Sequence, residues 1–230
     1  MPRTIIIGDI HGCRYELEEL LAEVGVAEGD RVVSVGDTVV RGPDPAGALR
    51  VLRSVGALAV RGNHEDRLIR WWELRGTKQA PPIGDLTRKT ARELSRADFA
   101  AIKAWPLWID FPHHNLRVVH AGIAPGVPMP EQHPSTLMTI RCVTKDGEPV
   151  AKRGDHLWGA FYAGPPHVVF GHNARPEPQI HPWATGIDTG CVYGGRLTAM
   201  VLEDGAEPPP IADRASVLVS VPARRAYVKI

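Results

Sequence analysis

The feature that most constrains this chain is a threefold repetition near its N-terminus. A short apolar run ends in a glycine and polar residues, and a helical pattern follows. Ile5-Ile6-Ile7 leads into Gly8-Asp9-Ile10-His11-Gly12, and Val32-Val33-Ser34-Val35 into Gly36-Asp37-Thr38-Val39-Val40-Arg41-Gly42. Leu58-Ala59-Val60 leads into Gly62-Asn63-His64-Glu65. Each apolar run reads as a buried strand. After the first, Leu17, Leu20, Leu21 and Val24 fall at i, i+3, i+4 and i+7, the spacing of one helix face. Leu49, Leu52 and Val55 mark a second helix, opened by Pro43-Asp44-Pro45. A third is expected over about 65–74. Such β-α-β-α-β-α order implies parallel strands with crossover helices. Ligands of such sheets bind outside the carboxyl ends of the strands, so three consecutive loops deliver polar side chains to one crevice.

The rest of the chain reads differently. Residues 76–85, with Gly76, Pro81-Pro82 and Gly84, read as a loop. Ser95-Arg96-Ala97-Asp98 has the form of a helix cap, starting a helix that ends before Trp105-Pro106. Strands are expected at 107–111, 116–119, 168–170, 197–202, 217–221 and 226–230, with His113-His114-Asn115 turning between the first two. Glu207-Pro208-Pro209-Pro210 reads as a surface linker. At 230 residues the chain is expected to be a single domain, 1–230, with a helical and loop insertion around 71–105.

Composition removes several classes. Hydrophobic residues at 43% and charged residues at 23% argue against disorder. A net charge of +1 provides no global field for gripping a polyanion, so no strong nucleic-acid binding is expected and any phosphate contact must be local. No apolar run approaches the roughly 20 residues of a membrane span, and the apolar run before Asp9 is only three residues, too short for a signal peptide. Cys13, Cys142 and Cys191 follow no metal-binding spacing and are expected as reduced thiols of a cytoplasmic protein.

The residues at the strand ends suit divalent metal. Asp9 and His11, two apart, can point the same way from an extended segment. Asp37 could bridge two ions, and Asn63 offers a neutral oxygen. Val118-Val119-His120-Ala121-Gly122 and Val168-Val169-Phe170-Gly171-His172-Asn173 repeat one theme, an apolar strand and then a histidine beside glycine. Mixed Asp, His and Asn donors fit Mn, Fe or Zn better than Ca or Mg. Any one such loop is commonplace; five glycine-flanked, metal-type residues at five strand ends are not. His113, His114, His133, His156, His167 and His181 follow no such pattern and are expected at the surface or in structural roles.

In this order the motifs Gly-Asp-Ile-His-Gly, Gly-Asp-x-x-x-Arg-Gly, Gly-Asn-His-Glu, His-Ala-Gly and Gly-His-Asn resemble those of the calcineurin-like metallophosphoesterases. More narrowly, they resemble the bacterial phosphoprotein-phosphatase-type branch, which includes phage-type Ser/Thr phosphatases and diadenosine tetraphosphatases. The likeness runs from about Thr4 to Leu202. It implies an α/β (α+β) fold, a four-layer αββα sandwich of two mixed β-sheets around a dinuclear site of transition-metal ions. Mn is foremost, with Fe, Zn, Co or Ni as alternatives. The resemblance makes Asp9, His11 and Asp37 ligands of one ion, and Asp37, Asn63, His120 and His172 ligands of the other. It makes His64 the general acid and Arg41 a phosphate-binding arginine, with Arg141 as the second.

The chemistry implied is attack of a metal-bridging hydroxide on phosphorus, with the arginines stabilising charge and His64 protonating the departing oxygen. One position departs from the protein-phosphatase pattern Gly-Asp-x-Val-Asp-Arg-Gly. Val40 replaces the second Asp, the carboxylate that orients and charges the acid histidine. A less supported acid suits a good leaving group such as a nucleotide phosphate, and the diadenosine tetraphosphatases also carry an apolar residue here. The expected substrate is therefore a nucleoside polyphosphate, with a phosphoprotein as the alternative partner and an inactive binding module as a third reading. All six ligand positions are filled, which disfavours the third. Trp158 and Tyr193 are expected as substrate contacts, Tyr162 is a similar candidate, and Trp71 or Trp72 could stack on adenine.

Overall fold

In a computed structural model, which describes residues 2–229, the three apolar runs form parallel strands β1 (Arg3–Ile7), β2 (Arg31–Ser34) and β3 (Leu58–Ala59). The helices between and after them are α1 (Arg14–Val24), α2 (Pro45–Ser54) and α3 (Asn63–Leu74). Asp44 caps α2, accepting from Gly47 N at 2.7 Å, and Pro45 occupies its first turn, where a missing N–H costs nothing. Helix α3 begins at Asn63, earlier than the pattern suggested, because Glu65 reaches back to accept the Gly62 N–H at 3.0 Å.

Two further strands complete the first sheet. β11 (Arg196–Glu203) runs antiparallel beside β1, and β12 (Leu218–Pro222) beside β11, giving the order β12-β11-β1-β2-β3. The second sheet comprises β4 (Trp108–Phe111), β5 (Leu116–Val119), β8 (His167–Phe170), β9 (Gln179–Ile180) and β10 (Ala184–Gly186), in the order β4-β5-β8-β10-β9. Both sheets are mixed. A small hairpin, β6 (Cys142–Val143) with β7 (Pro149–Val150), stands apart.

Side chains alternate across each strand, and both faces of the first sheet are covered, which is why its strands read as unbroken apolar runs. Ile5, Ile7 and Val32 pack under α1 and α2. Ile6, Val33 and Met200 face the other way, against Leu116, Val118 and Val169 of the second sheet. The outer face of that sheet, through Val119, Val168 and Phe170, meets Leu137 of α6 (Pro134–Thr139) and Trp158 in a 3-10 turn. The four layers are thus present, the last one thin.

Several elements depart from the expectations. Helix α4 (Asp85–Glu93) is not among the expected elements, since it buries only Thr90 and Ala91 and carries just two apolar residues, Leu86 and Ala91. It precedes α5 (Arg96–Ala104), whose capping box is as expected: Ser95 Oγ accepts from Asp98 N at 3.1 Å and Asp98 returns the bond to Ser95 N at 2.7 Å. No strand forms over 226–229, and Ile230 lies outside the described residues. That tail docks on α1 instead, with Tyr227 Oη donating to Glu16 at 2.7 Å and Ala226 making one bridge to Tyr193. The short strands β6, β7, β9 and β10 are likewise not among the expected elements; two or three residues carry no legible period. The three cysteines are free thiols and all buried.

Candidate metal centre

The loops after β1, β2, β5 and β8 converge at one end of the sandwich. Their backbones are tightly bent: His11, Asp37, Val40, Arg41 and His172 all have left-handed φ, between 47° and 74°. Such angles are uncommon for non-glycine residues and cost roughly 1–3 kcal/mol each, so surrounding contacts must hold them. Two glycines allow the loops to close in. A Cβ at Gly171 would stand 1.8 Å from Asp9 Oδ1, and one at Gly62 would stand 2.2 Å from Asp37 Oδ1.

Asp37 lies at the middle. Its Oδ2 has His120 Nε2 at 3.5 Å, His11 Nε2 at 3.6 Å and His64 Nε2 at 4.0 Å. Its Oδ1 accepts the His64 N–H at 3.0 Å. Two groups able to hold an ion overlap on it: His11, Asp37 and His64, and Asp37, His120 and His172. Asp9 lies behind His172, whose N–H stands 3.1 Å from each carboxylate oxygen.

The donor chemistry fits cations. His120 Nδ1 donates to the Val35 carbonyl at 2.9 Å, which turns Nε2 toward Asn63 Oδ1 at 3.1 Å and Asp37. In a neutral His120 three acceptors would then face one another, so a proton or a metal ion must sit among them. His172 Nε2 is likewise buried without a partner. Burial and the Asp188 charge hold the Asp9 carboxyl well above the ordinary range. Burial also pushes Asp37 up, but the His120, His64 and His11 imidazoles outweigh it and leave Asp37 well below that range. Divalent ions relieve such crowding of carboxylates, and bind in competition with protons.

His64 has a different setting. Arg41 Nη2 donates to its Nε2 at 3.0 Å. Burial and the guanidinium keep its pKa below the usual histidine value, against the pull of Asp37. Val40 is 1% exposed and packs among Leu68, Ile69 and Phe99, so position 40 gives His64 an apolar neighbour.

A cavity of about 80 Å³ opens over this cluster, lined by His11, Asp37, Asn63, His64 and His172, with Arg41, Arg141 and Tyr193 at its sides. Asp9 and His120 sit beneath. Arg141 is anchored by Nη1 on the Ala151 carbonyl at 2.6 Å, while its Nε is buried and unpartnered. Arg41 lies over the Tyr193 ring at 5.4 Å. The structure does not bring Trp158 to the cavity. That indole is 1% exposed, donates to the Ala121 carbonyl at 3.0 Å and packs on Phe170, so its apolar bulk fills the core behind the second sheet. Tyr162 packs beside it and donates to the Pro166 carbonyl at 2.8 Å. Trp72 stacks on Phe99 and Trp71 packs in the same apolar cluster, away from the cavity.

Sequence reasoning missed three residues here. Glu65 accepts from Asp37 N at 2.8 Å, Gly62 N at 3.0 Å and Val39 N at 3.0 Å, tying the loop after β2 to the start of α3. Its place in Gly-Asn-His-Glu, just past a helix start, was the available signal. Asp188 and Arg153 also line the cavity. Asp188 lies in a glycine-rich segment with Gly190, Gly194 and Gly195, whereas Arg153 sits in an exposed loop with no local signal.

Residues 2–205 match the family described as calcineurin-like phosphoesterase. The chain belongs to the calcineurin-like phosphoesterases. It is therefore a hydrolase of a family that uses a dinuclear metal centre. A protein of Oceanobacillus iheyensis named bis(5'-nucleosyl)-tetraphosphatase PrpE, asymmetrical, is 30% identical over 220 residues, 84% of this chain and 86% of that one. A solved structure described only as a candidate diadenosine tetraphosphatase superposes with a TM-score of 0.81 at 34% identity, covering 97% of this chain and 96% of that one. A Saccharomyces cerevisiae Ser/Thr phosphatase shares the fold at TM-score 0.60 and 15% identity, covering 96% of this chain and 79% of that one.

Proposed function

We propose that this phosphoesterase hydrolyses dinucleoside polyphosphates of the diadenosine tetraphosphate type. The observation that carries the reading is the setting of His64. Its charged neighbours are the Arg41 guanidinium at 3.0 Å and Asp37 at 4.0 Å, and buried Val40 stands where protein phosphatases place a second carboxylate. An imidazole beside a guanidinium is a weakly supported proton donor. It suffices for a phosphate leaving group and serves a serine alkoxide poorly. The relatives named as tetraphosphatases support the same substrate class.

In this reading Asp9, His11 and Asp37 hold one ion, and Asp37, Asn63, His120 and His172 the second, with Mn the native metal. Two divalent ions, when bound, supply Lewis-acid charge neutralisation and activate water near neutral pH. Arg41 and Arg141 present planar donor forks to the phosphate oxygens and stabilise charge as it builds. His64, once protonated and released from Arg41, delivers a proton to the departing oxygen. Residues 1–230 act as one unit, with 71–105 as an insertion, and the free thiols suit a cytoplasmic enzyme.

The test is a side-by-side assay of diadenosine tetraphosphate and a phosphoserine peptide, before and after chelation, with Mn then restored. The reading expects kcat/KM to favour the dinucleotide, with activity lost on chelation and regained with Mn. A preference for the peptide overturns the substrate. Full activity at a verified metal content near zero overturns the mechanism.

A further inference from the structure

A second cavity, of about 290 Å³, opens off the first and shares Arg153, Ala174 and Tyr193 with it. It continues past Arg175 and Pro176 to Gly194 and Gly195. Four guanidiniums, Arg41, Arg141, Arg153 and Arg175, thus line the route from the metal cluster into the groove. Among the described residues, none of the four is in the ion pairs formed within 4.0 Å of a carboxylate. The Nε atoms of Arg141 and Arg175 are buried and make no hydrogen bond. Asp188, which faces Arg153 across the inner cavity, has Oδ1 engaged by the Gly190 N–H at 3.0 Å.

A chain with a net charge of only +1 has concentrated guanidiniums here that make no direct ion pair with the carboxylates Asp37 and Asp188 of the same cavity. Buried donors left unmade are costly, about 1–3 kcal/mol each, so they point to a ligand that completes them. One phosphate in the inner cavity would meet Arg41, Arg141 and Arg153 at most and leave Arg175 idle. A linear polyphosphate reaches all four. The groove is largely apolar, with Pro176 on its wall and the Tyr193 ring at its junction with the inner cavity, a surface suited to a purine face. A phosphopeptide offers one dianion and no aromatic terminus.

We infer that the Arg153–Arg175–Tyr193 groove seats the phosphates and nucleoside beyond the reacting phosphate. The inference rests on the dinucleoside polyphosphate reading and assigns where the rest of that substrate lies.

The experiment compares wild type with Arg175→Ala and Arg153→Ala on diadenosine tetraphosphate and on p-nitrophenyl phosphate, with Mn in excess. Loss of one charge-assisted bond should raise KM for the dinucleotide about tenfold relative to KM for the aryl phosphate with Arg175→Ala. Arg153, which also lines the inner cavity, should give a severalfold rise, and kcat should change about twofold or less with Arg175→Ala. Circular dichroism checks folding, and Arg175→Lys should recover part of the KM. Equal KM changes for both substrates, or none, overturn the groove. Failure of the wild type to cleave the dinucleotide overturns the substrate reading alone. The groove is then judged by inhibition of aryl phosphate hydrolysis. ATP should inhibit wild type at least about tenfold more tightly than AMP, and Arg175→Ala should erase the difference. Equal inhibition of wild type by ATP and AMP overturns it.

Discussion

Replacing Glu65 with Gln tests whether the candidate metal centre is held by a brace outside its proposed ligand set. The Glu65 side chain is fully buried, and its carboxylate takes three backbone N–H groups. Two of them, from Asp37 and Gly62, share Oε2, and the third, from Val39, meets Oε1. The amide oxygen of Gln can keep the shared pair, but its NH₂ then faces the Val39 N–H donor to donor. The loss is one charge-assisted bond, about 1.5–3 kcal/mol, and one orphaned buried N–H, about 1–3 kcal/mol. Burial pushes the Glu65 carboxyl up to about 7, so the ionised form is itself costly to bury and part of the loss is offset. A net destabilisation of about 1–3 kcal/mol, or roughly 3–10 °C in Tm, is expected. The catalytic effect should be larger. Asp37 and Val39 are on the loop after β2 and Asn63 and His64 open α3, and a displacement of about 1 Å between reacting groups costs on the order of 10²-fold. The assay combines a thermal melt, Mn per chain by mass spectrometry, and kcat. The expected result is a well-folded protein with reduced Mn content and kcat down about 10–100-fold. Wild-type Mn content and kcat in Glu65→Gln would show that the two loops are held without this carboxylate.

Three further outcomes are expected. Val40→Asp should raise kcat/KM on phosphoserine peptide relative to diadenosine tetraphosphate, because a carboxylate beside His64 favours the protonated acid. Its stability should fall by about 1–2 kcal/mol net, since lost valine burial outweighs the relief of a β-branched residue at φ 71°. An unchanged substrate ratio in a folded variant would refute the role of position 40. His64→Asn should leave metal content intact while kcat falls about 10²–10⁴-fold on diadenosine tetraphosphate and less on an aryl phosphate, and equal losses would remove His64 as the acid. Asp30 accepts from Arg3 Nη2 at 2.6 Å, Arg3 N at 2.8 Å and Ala27 N at 3.0 Å, which holds its carboxyl down to about 2. A depressed carboxylate stabilises the fold above its unfolded value of about 3.9 and ceases to as pH falls toward 2. Asp30→Asn should therefore flatten the acid limb of Tm against pH between about 4 and 2, and an unaltered limb would refute it.

The strands, helices and loops that carry the metal-type residues were legible because their determinants are local. Ile5-Ile6-Ile7 can be read as a doubly covered strand from its own three side chains, and Asp9 and His11 follow directly from where that strand ends. The Ser95 capping box and the Asp44 cap were legible for the same reason, since a cap is a contact across three residues. Tertiary structure alone decided what depends on contacts between distant segments. Trp158 looks like a loop aromatic in sequence, and only the packing of Phe170 and the Ala121 carbonyl around it makes it core. Arg153 and Arg175 are ordinary surface-type residues until two separate loops bring them into one groove with Tyr193. The Glu65 brace joins Asp37 across 28 positions of chain. Hydrophobic period and capping chemistry act over a few residues and leave a mark in the sequence. Convergence of loops is set by how two sheets pack, and no local pattern records it.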